Sequence, residues 1–216
     1  MTQEYETIVV EKRDDGLMIV TFNRPEVYNA MNTAMMRELG DVFAPMVQRP
    51  GDVRCVILTG AGEKAFCSGG DLKQRNSMND DQWFDQHLDA QRAIFSMADC
   101  PVPIICAVNG VAFAKEMVLA ARSIDAEKAL EWGLVNKICA EGKLMEEVME
   151  VAEAICANAP LSVKQAKKAM TIARDVDRKT SHRFALEAYH RLILSEDRVE
   201  GMLAFNEKRT PVFKGR

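Results

Sequence analysis

Two adjacent glycines stand in Ala65-Phe66-Cys67-Ser68-Gly69-Gly70-Asp71-Leu72-Lys73, just after an apolar run and ahead of a polar loop. Paired glycines let a backbone approach a ligand closely and free consecutive amide N–H groups to point at one oxygen. Such an arrangement is a donor nest for an oxygen. The same glycines also suit a plain turn, and Asp71 ahead of a helical stretch also suits an N-cap, so both readings stand beside the donor nest. The other chemistry-bearing residue types point less far. His87, His182 and His190 are far apart and none is paired with a Cys or carboxylate at ligand spacing, so no metal site is expected. The six cysteines (Cys55, Cys67, Cys100, Cys106, Cys139 and Cys156) form no CxxC, and four lie in apolar stretches where a reduced thiol behaves as a small core residue.

The elements that must position this window follow from hydrophobic periodicity. Ile8 to Glu11 and Leu17 to Phe22 flank an Asp14-Asp15-Gly16 turn, the pattern of a β-hairpin. Thr33 to Met46 carries Met35, Met36, Leu39, Val42, Phe43 and Met46 at three-and-four spacing, an amphipathic helix. Val53 to Thr59 reads as a strand buried on both faces and paired in parallel. A helix over Asp80 to Met97 and a buried strand over Pro103 to Val108, ending at Asn109-Gly110, complete an α/β core spanning residues 1–124. Residues 125–216 read as successive helices through Asn206, broken at Gly142 and Ala159-Pro160, with Val135 to Ile138 the one strand among them.

The chain has 216 residues, enough for one domain with a helical appendage and too few for two large domains. At 48% hydrophobic and 28% charged residues it has the composition of a soluble globular protein. A net charge of -4 provides no broad cationic field, so no nucleic-acid partner is expected and any anionic ligand must be held locally. No apolar run approaches the roughly 20 residues that span a bilayer, and the start lacks a signal peptide's basic-then-apolar order, so a cytoplasmic location without a membrane partner is expected.

Five windows in order (TFNRPEVYNAMN, VILTGAGEKAFCSGGDLK, PIICAVNGVAFA, RSIDAEKALEWGLVNKI and EDRVEGMLAFNEKR) resemble the enoyl-CoA hydratase (crotonase) family over nearly the whole chain. The resemblance implies a crotonase-like spiral core of ββα turns with a C-terminal helical region that builds trimers or dimers of trimers. It implies an acyl-CoA thioester as substrate, with coenzyme A entering as part of that substrate and no separate cofactor. By position, Gly70 supplies one oxyanion N–H, while Val27, Tyr28, Ser68, Gly69, Asp71, Leu72 and Lys73 match the stretches that wrap the nucleotide and pantetheine. Phe205 and Lys208 match positions that reach the coenzyme A of a neighbouring subunit, although at helical spacing they equally suit a core contact and a solvated charge. Apolar positions from Glu146 to Ile155 and from Phe184 to Leu203 exceed what one small domain covers, in keeping with an oligomer.

The resemblance breaks after Ala114. Lys115-Glu116-Met117-Val118-Leu119 resembles a later family helix, so a block of a few dozen residues carrying the second oxyanion glycine and both acid–base carboxylates has no counterpart. Glu116 does not replace the first of these. In an ungapped alignment it falls two positions short of the family glutamate, roughly 200° away around a helix. Either the chain lacks the block, leaving a compromised CoA-binding domain, or Ala114 and Lys115 are brought together from a longer enzyme. The second reading predicts a Cα separation well beyond the ~3.8 Å of a trans peptide. It also follows from the cost of the first, because loss of the block should bare the apolar faces of strands such as Val53 to Thr59.

The expected activity is hydration of 2-enoyl-CoA through an oxyanion-stabilised enolate, as in fatty acid metabolism. The alternatives are a non-catalytic acyl-CoA-binding or assembly subunit and another reaction of the same family, such as isomerisation or decarboxylation. A dinucleotide-binding domain is disfavoured because SGGDL lacks the G-x-G-x-x-G spacing.

Overall fold

Alternating and continuous apolar runs build a five-stranded sheet in a computed structural model that describes residues 1–110 and 124–216. The strands are β1 (Thr2–Glu4), β2 (Ile8–Lys12), β3 (Leu17–Phe22), β4 (Cys55–Gly60) and β5 (Ile104–Ala107), lying side by side in that order. The first three are antiparallel, with Val10 opposite Val20, whereas β3, β4 and β5 run parallel, with Ile19 opposite Ile57 and Ile57 opposite Ile105. The parallel setting expected of β4 is therefore found. The polar and wholly exposed β1 carries no apolar signal, which is why the sequence pattern announces only the hairpin.

One sheet face is covered by α1 (Thr33–Gln48), whose Met35, Leu39, Phe43 and Met46 pack with Ile8, Val10, Val20, Phe22, Val56 and Leu58. Asn32 starts this helix by accepting the Met35 amide. A short α2 (Leu72–Asn76) leads to α3 (Asp80–Asp99), which opens with a capping box between Asn79 and Gln82 and contributes Ala93 to the same core. Burying each large apolar side chain here contributes roughly 1.5–3 kcal/mol.

The C-terminal helices are α4 (Ala126–Glu131), α5 (Leu144–Cys156), α6 (Pro160–Ile172), α7 (Arg178–His190) and α8 (Glu196–Glu207). Val148, Ala152 and Cys156 of α5 pack on Leu17, Cys55, Ile57 and Ala107, the second sheet face. This corrects the expectation for Glu146 to Ile155: these inward apolar positions serve the chain's own core. The apolar positions of the following helices remain open, with Tyr189, Leu194, Met202 and Leu203 exposed.

Three further expectations are corrected. Val135 to Ile138 is not a strand: after the turn at Gly133 the Leu134 and Val135 amides return to the Ala129 carbonyl, and no described strand lies alongside to pair with them. Every residue of β4 is buried, so the apolar faces expected to be bared are not those of β4. Exposure falls instead on β5, where Cys106 is open and only Ala107 is fully buried, because β5 is the sheet's terminal strand among the described residues. The Ala114–Lys115 junction and Glu116 lie outside the described residues.

Candidate active site

Buried amides and carboxylates need partners, and here those partners weld two distant loops together. After β3, Pro25–Val27 forms a short 3₁₀ turn, and Tyr28 and Asn29 follow with left-handed φ values of 55° and 54°. Asparagine adopts that region readily, and the wholly buried Asn29 side chain rewards it with three bonds. Its Oδ1 accepts the Arg24 amide at 2.9 Å, and its Nδ2 donates to the Ala61 and Ala65 carbonyls at 3.0 and 2.8 Å. The loop after β4 is thus tied to the loop after β3. Asn109 holds the same loop from the other side by donating to the Gly60 and Gly62 carbonyls at 2.7 and 2.6 Å.

The backbone then interlocks. Ser68 N–H donates to the Tyr28 carbonyl at 3.1 Å, Met31 N–H to Gly69 O at 2.8 Å, and Asp71 N–H to Met31 O at 3.0 Å. Gly69 N–H donates to Cys67 Sγ at 3.5 Å, and burial pushes that thiol's pKa up, which keeps it a neutral acceptor. The Ser68 and Gly69 amides are therefore occupied, which corrects the expectation that the whole Ser68-Gly69-Gly70 nest points outward. Gly70 N–H has no acceptor among the described residues, although Gly70 lies in the bridge with Met31. Gly69 must be glycine, since its φ of 94° is one an L side chain rarely adopts.

Asp71 is the N-cap of α2, accepting the Lys73 and Gln74 amides at 3.1 and 3.2 Å while its Oδ2 faces Arg24 Nη1 at 2.9 Å. Burial alone would raise the carboxyl's pKa, but the Gln74 amide, the Arg24 bond and charge, and the Lys73 amide outweigh it and hold the group below its ordinary value. Its oxygens are engaged inside the protein, so the capping reading holds and no direct contact with a ligand follows from this geometry. The neighbouring Leu72 is 75% exposed and Tyr28 51% exposed, with Lys73 exposed beside them.

Val27, Tyr28, Ser68, Gly69, Gly70, Asp71, Leu72 and Lys73 thus meet at one junction between the loops after β3 and β4. Phe205 and Lys208 do not join it through any hydrogen bond or ion pair among the described residues. Phe205 is 84% exposed on α8, and Lys208 ends that helix in a left-handed conformation with φ 54°. Sequence reasoning missed Arg24, Asn29 and Asn109. The signal for the two asparagines is a polar residue flanking a turn inside an otherwise apolar window, the place where a side-chain amide substitutes for backbone partners.

The sequence profile of the enoyl-CoA hydratase/isomerase family matches the chain in two segments, residues 12–114 and 110–216. YngF of Bacillus subtilis, provisionally named an enoyl-CoA hydratase/isomerase, is 31% identical over 258 positions, covering 97% of this chain and 99% of its own. A short-chain-enoyl-CoA hydratase of Clostridium acetobutylicum is 28% identical over 254 positions, covering 95% of this chain and 97% of its own. Since the chain has 216 residues, at least 42 positions of the first alignment have no residue of it opposite them. Among solved structures, an enoyl-CoA hydratase from Bacillus anthracis superposes with a TM-score of 0.90 at 30% identity, covering 98% of this chain and 100% of its own. An enoyl-CoA hydratase/carnithine racemase from Magnetospirillum magneticum gives 0.85 at 26% identity, with 99% and 97% covered. Sheet order, the welded glycine loop and sequence likeness along both segments lead to one conclusion: the chain belongs to the enoyl-CoA hydratase/isomerase family.

Proposed function

We propose that the chain binds acyl-CoA thioesters at the Gly70 junction and adds water across the double bond of a 2-enoyl-CoA. The observation that carries this reading is the Gly70 amide, which lacks an acceptor among the described residues while the amides of Ser68, Gly69 and Asp71 on either side are all engaged. A rigid, pre-aimed donor of this kind favours charge that appears on the thioester oxygen only as the reaction proceeds. In the reaction the hydroxyl of water bonds to carbon 3 and the π electrons move onto the thioester oxygen. The resulting enolate takes a proton at carbon 2, which balances the proton that water gives up as its O–H bond breaks. Gly70 N–H stabilises the enolate oxygen. Tyr28, Val27 and Leu72 offer apolar surface to the pantetheine, Ser68 and Gly69 shape the loop around it, and Lys73 offers a cation to a phosphate. Asp71 and Arg24 hold the loop in shape. Phe205 and Lys208 would act on the coenzyme A of a neighbouring copy in a trimer or a dimer of trimers. Coenzyme A enters with the substrate and no separate cofactor is required. The names of two relatives, short-chain-enoyl-CoA hydratase and carnitinyl-CoA dehydratase, describe forward and reverse forms of this chemistry.

The test is addition of the purified protein to crotonyl-CoA while the ultraviolet absorbance of the conjugated enoyl thioester is followed. A time-dependent loss proportional to protein supports hydration. An unchanged spectrum with demonstrable binding favours the second reading, a non-catalytic acyl-CoA-binding or assembly subunit. That reading draws on one observation: Asp71, the carboxylate at the junction, is consumed by Arg24 and two amides and is not free to move a proton. The intact mass separates the two as well. A value at 24.2 kDa favours the binding subunit and a clearly higher one favours the enzyme with its full set of carboxylates.

A further inference from the structure

A guanidinium sits beside the Gly70 amide. The Arg75 Cζ lies 2.6 Å from the point that a Cβ on Gly70 would occupy, and Nη1 and Nη2 lie 2.8 Å from it, so the whole planar group rests against the open side of this glycine. Two contacts hold it there. Arg75 Nε donates to Gln86 Oε1 at 3.0 Å, and the guanidinium lies over the Trp83 ring with 5.7 Å to the centroid. Trp83 is in turn stacked on His87 at 5.9 Å. Gln86 is itself 2% exposed and fixed, its Nε2 donating to Thr33 Oγ1 and to Gln74 Oε1 at 2.9 Å each. The Gln74 oxygen also accepts the Thr33 amide at 2.9 Å. One network thus ties α1, α2 and α3 together and ends in a cation.

Among the described residues no carboxylate pairs with Arg75, and its Nη atoms donate to no acceptor. Arg75 is half-buried, so its Nη donors are held in place by the network and remain open to a ligand oxygen. The Nη donors stand beside Gly70, and a charge-assisted bond from them to an oxygen there is roughly twice as strong as a neutral one. Resting on the reading of Gly70 as a thioester donor, we infer that Arg75 is a further catalytic residue: its guanidinium shares the thioester oxygen with Gly70 N–H and stabilises the negative charge that develops there. Gln86 is a positioning residue that aims it. Glycine at position 70 then has a second reason, since any side chain would displace the cation from the oxygen.

The test uses an enoyl thioester of coenzyme A conjugated to an aryl group, whose absorption moves to longer wavelength when its carbonyl oxygen is polarised. The wild-type protein is expected to bind it with a red shift. Arg75→Met should still bind but lose most of the shift, and its crotonyl-CoA turnover should fall roughly 10²-fold with KM little changed. Arg75→Lys, which keeps the charge without the fork, should recover part of both. Gly70→Ala keeps the amide but pushes the guanidinium aside, and should reproduce the Arg75→Met spectrum in a protein of near wild-type thermal stability. A red shift unchanged in Arg75→Met overturns the role of Arg75 while leaving the thioester site standing. No binding, or no shift, in the wild-type protein overturns the reading of the site and this inference with it.

Discussion

Asn29 and Gly70 divide the work at the centre of the junction. Asn29 spends both polar side-chain atoms on backbone, and Gly70 keeps its N–H available among the described residues. Replacing Asn29 with Ala leaves the Ala65 carbonyl buried without its donor and puts a less tolerant residue at φ 54°. The expected cost is about 2–4 kcal/mol, or a fall in Tm of roughly 5–15 °C for a chain of this size, read by calorimetry. A Tm within a degree of wild type would show that the two loops do not depend on this side chain. Gly70→Pro removes the donor itself. Turnover is expected to fall roughly 10²–10³-fold in a folded variant, because one pre-aimed oxyanion donor is typically worth that much. A folded Gly70→Pro protein with unchanged turnover contradicts the role.

The helix α2 has five residues, too few to be stable by itself, and its start depends on the Asp71 carboxylate. Since that group's pKa lies below its ordinary value in the fold, the stabilisation it provides is complete above the unfolded carboxylate value near ~3.9 and is lost as pH falls through the folded value. Wild-type Tm should therefore decline through this acid range. Asp71→Asn should start lower at pH 7 and show a flatter decline, as measured by thermal melts from pH 7 to pH 2. Parallel curves for the two proteins would mean that other groups carry the acid sensitivity. Lys167 of α6 is fixed by the Cys100 and Val102 carbonyls at 2.6 and 2.7 Å, and burial lowers its pKa. It fastens the C-terminal helices to the connection between α3 and β5.

For the whole molecule, large apolar residues are exposed both on α3, at Phe84, Leu88, Ile94 and Phe95, and on the C-terminal helices. The second sheet face is closed by α5, whereas Tyr189, Leu194, Met202, Leu203 and Phe205 stand open along α7, α8 and the turn between them. Apolar surface of this kind is stable in water when another copy covers it. Light scattering at micromolar concentration is expected to give a trimer or a dimer of trimers of the 24.2 kDa chain. A monomer throughout would remove both the assembly and the reason for placing Phe205 and Lys208 at a neighbour's ligand.

Periodicity alone determined the hairpin, α1, β4, α3 and the helical second half, since apolar spacing reports which face an element buries whatever lies opposite. It located β5 but overstated its burial, and it took Val135 to Ile138 for a strand, because a strand's existence and burial depend on a partner edge, which is a property of the sheet and not of the segment. Sequence windows likewise located the glycine loop and the NRPEVYNA loop, and the family likeness joined them. Which of the three loop amides is spent and which is open could be decided only in three dimensions, where Tyr28 O and Cys67 Sγ take two of them. The same holds for the ion pair of Asp71, whose partner Arg24 lies 47 residues away in the chain and adds to the two local amides in lowering the carboxyl's pKa. Arg75 is the extreme case. In sequence it is one more charge on a short polar helix, and only the packing of α2 against Gln86 and Trp83 brings its guanidinium onto Gly70, because long-range hydrogen bonds and excluded volume, not local spacing, set where a flexible side chain comes to rest.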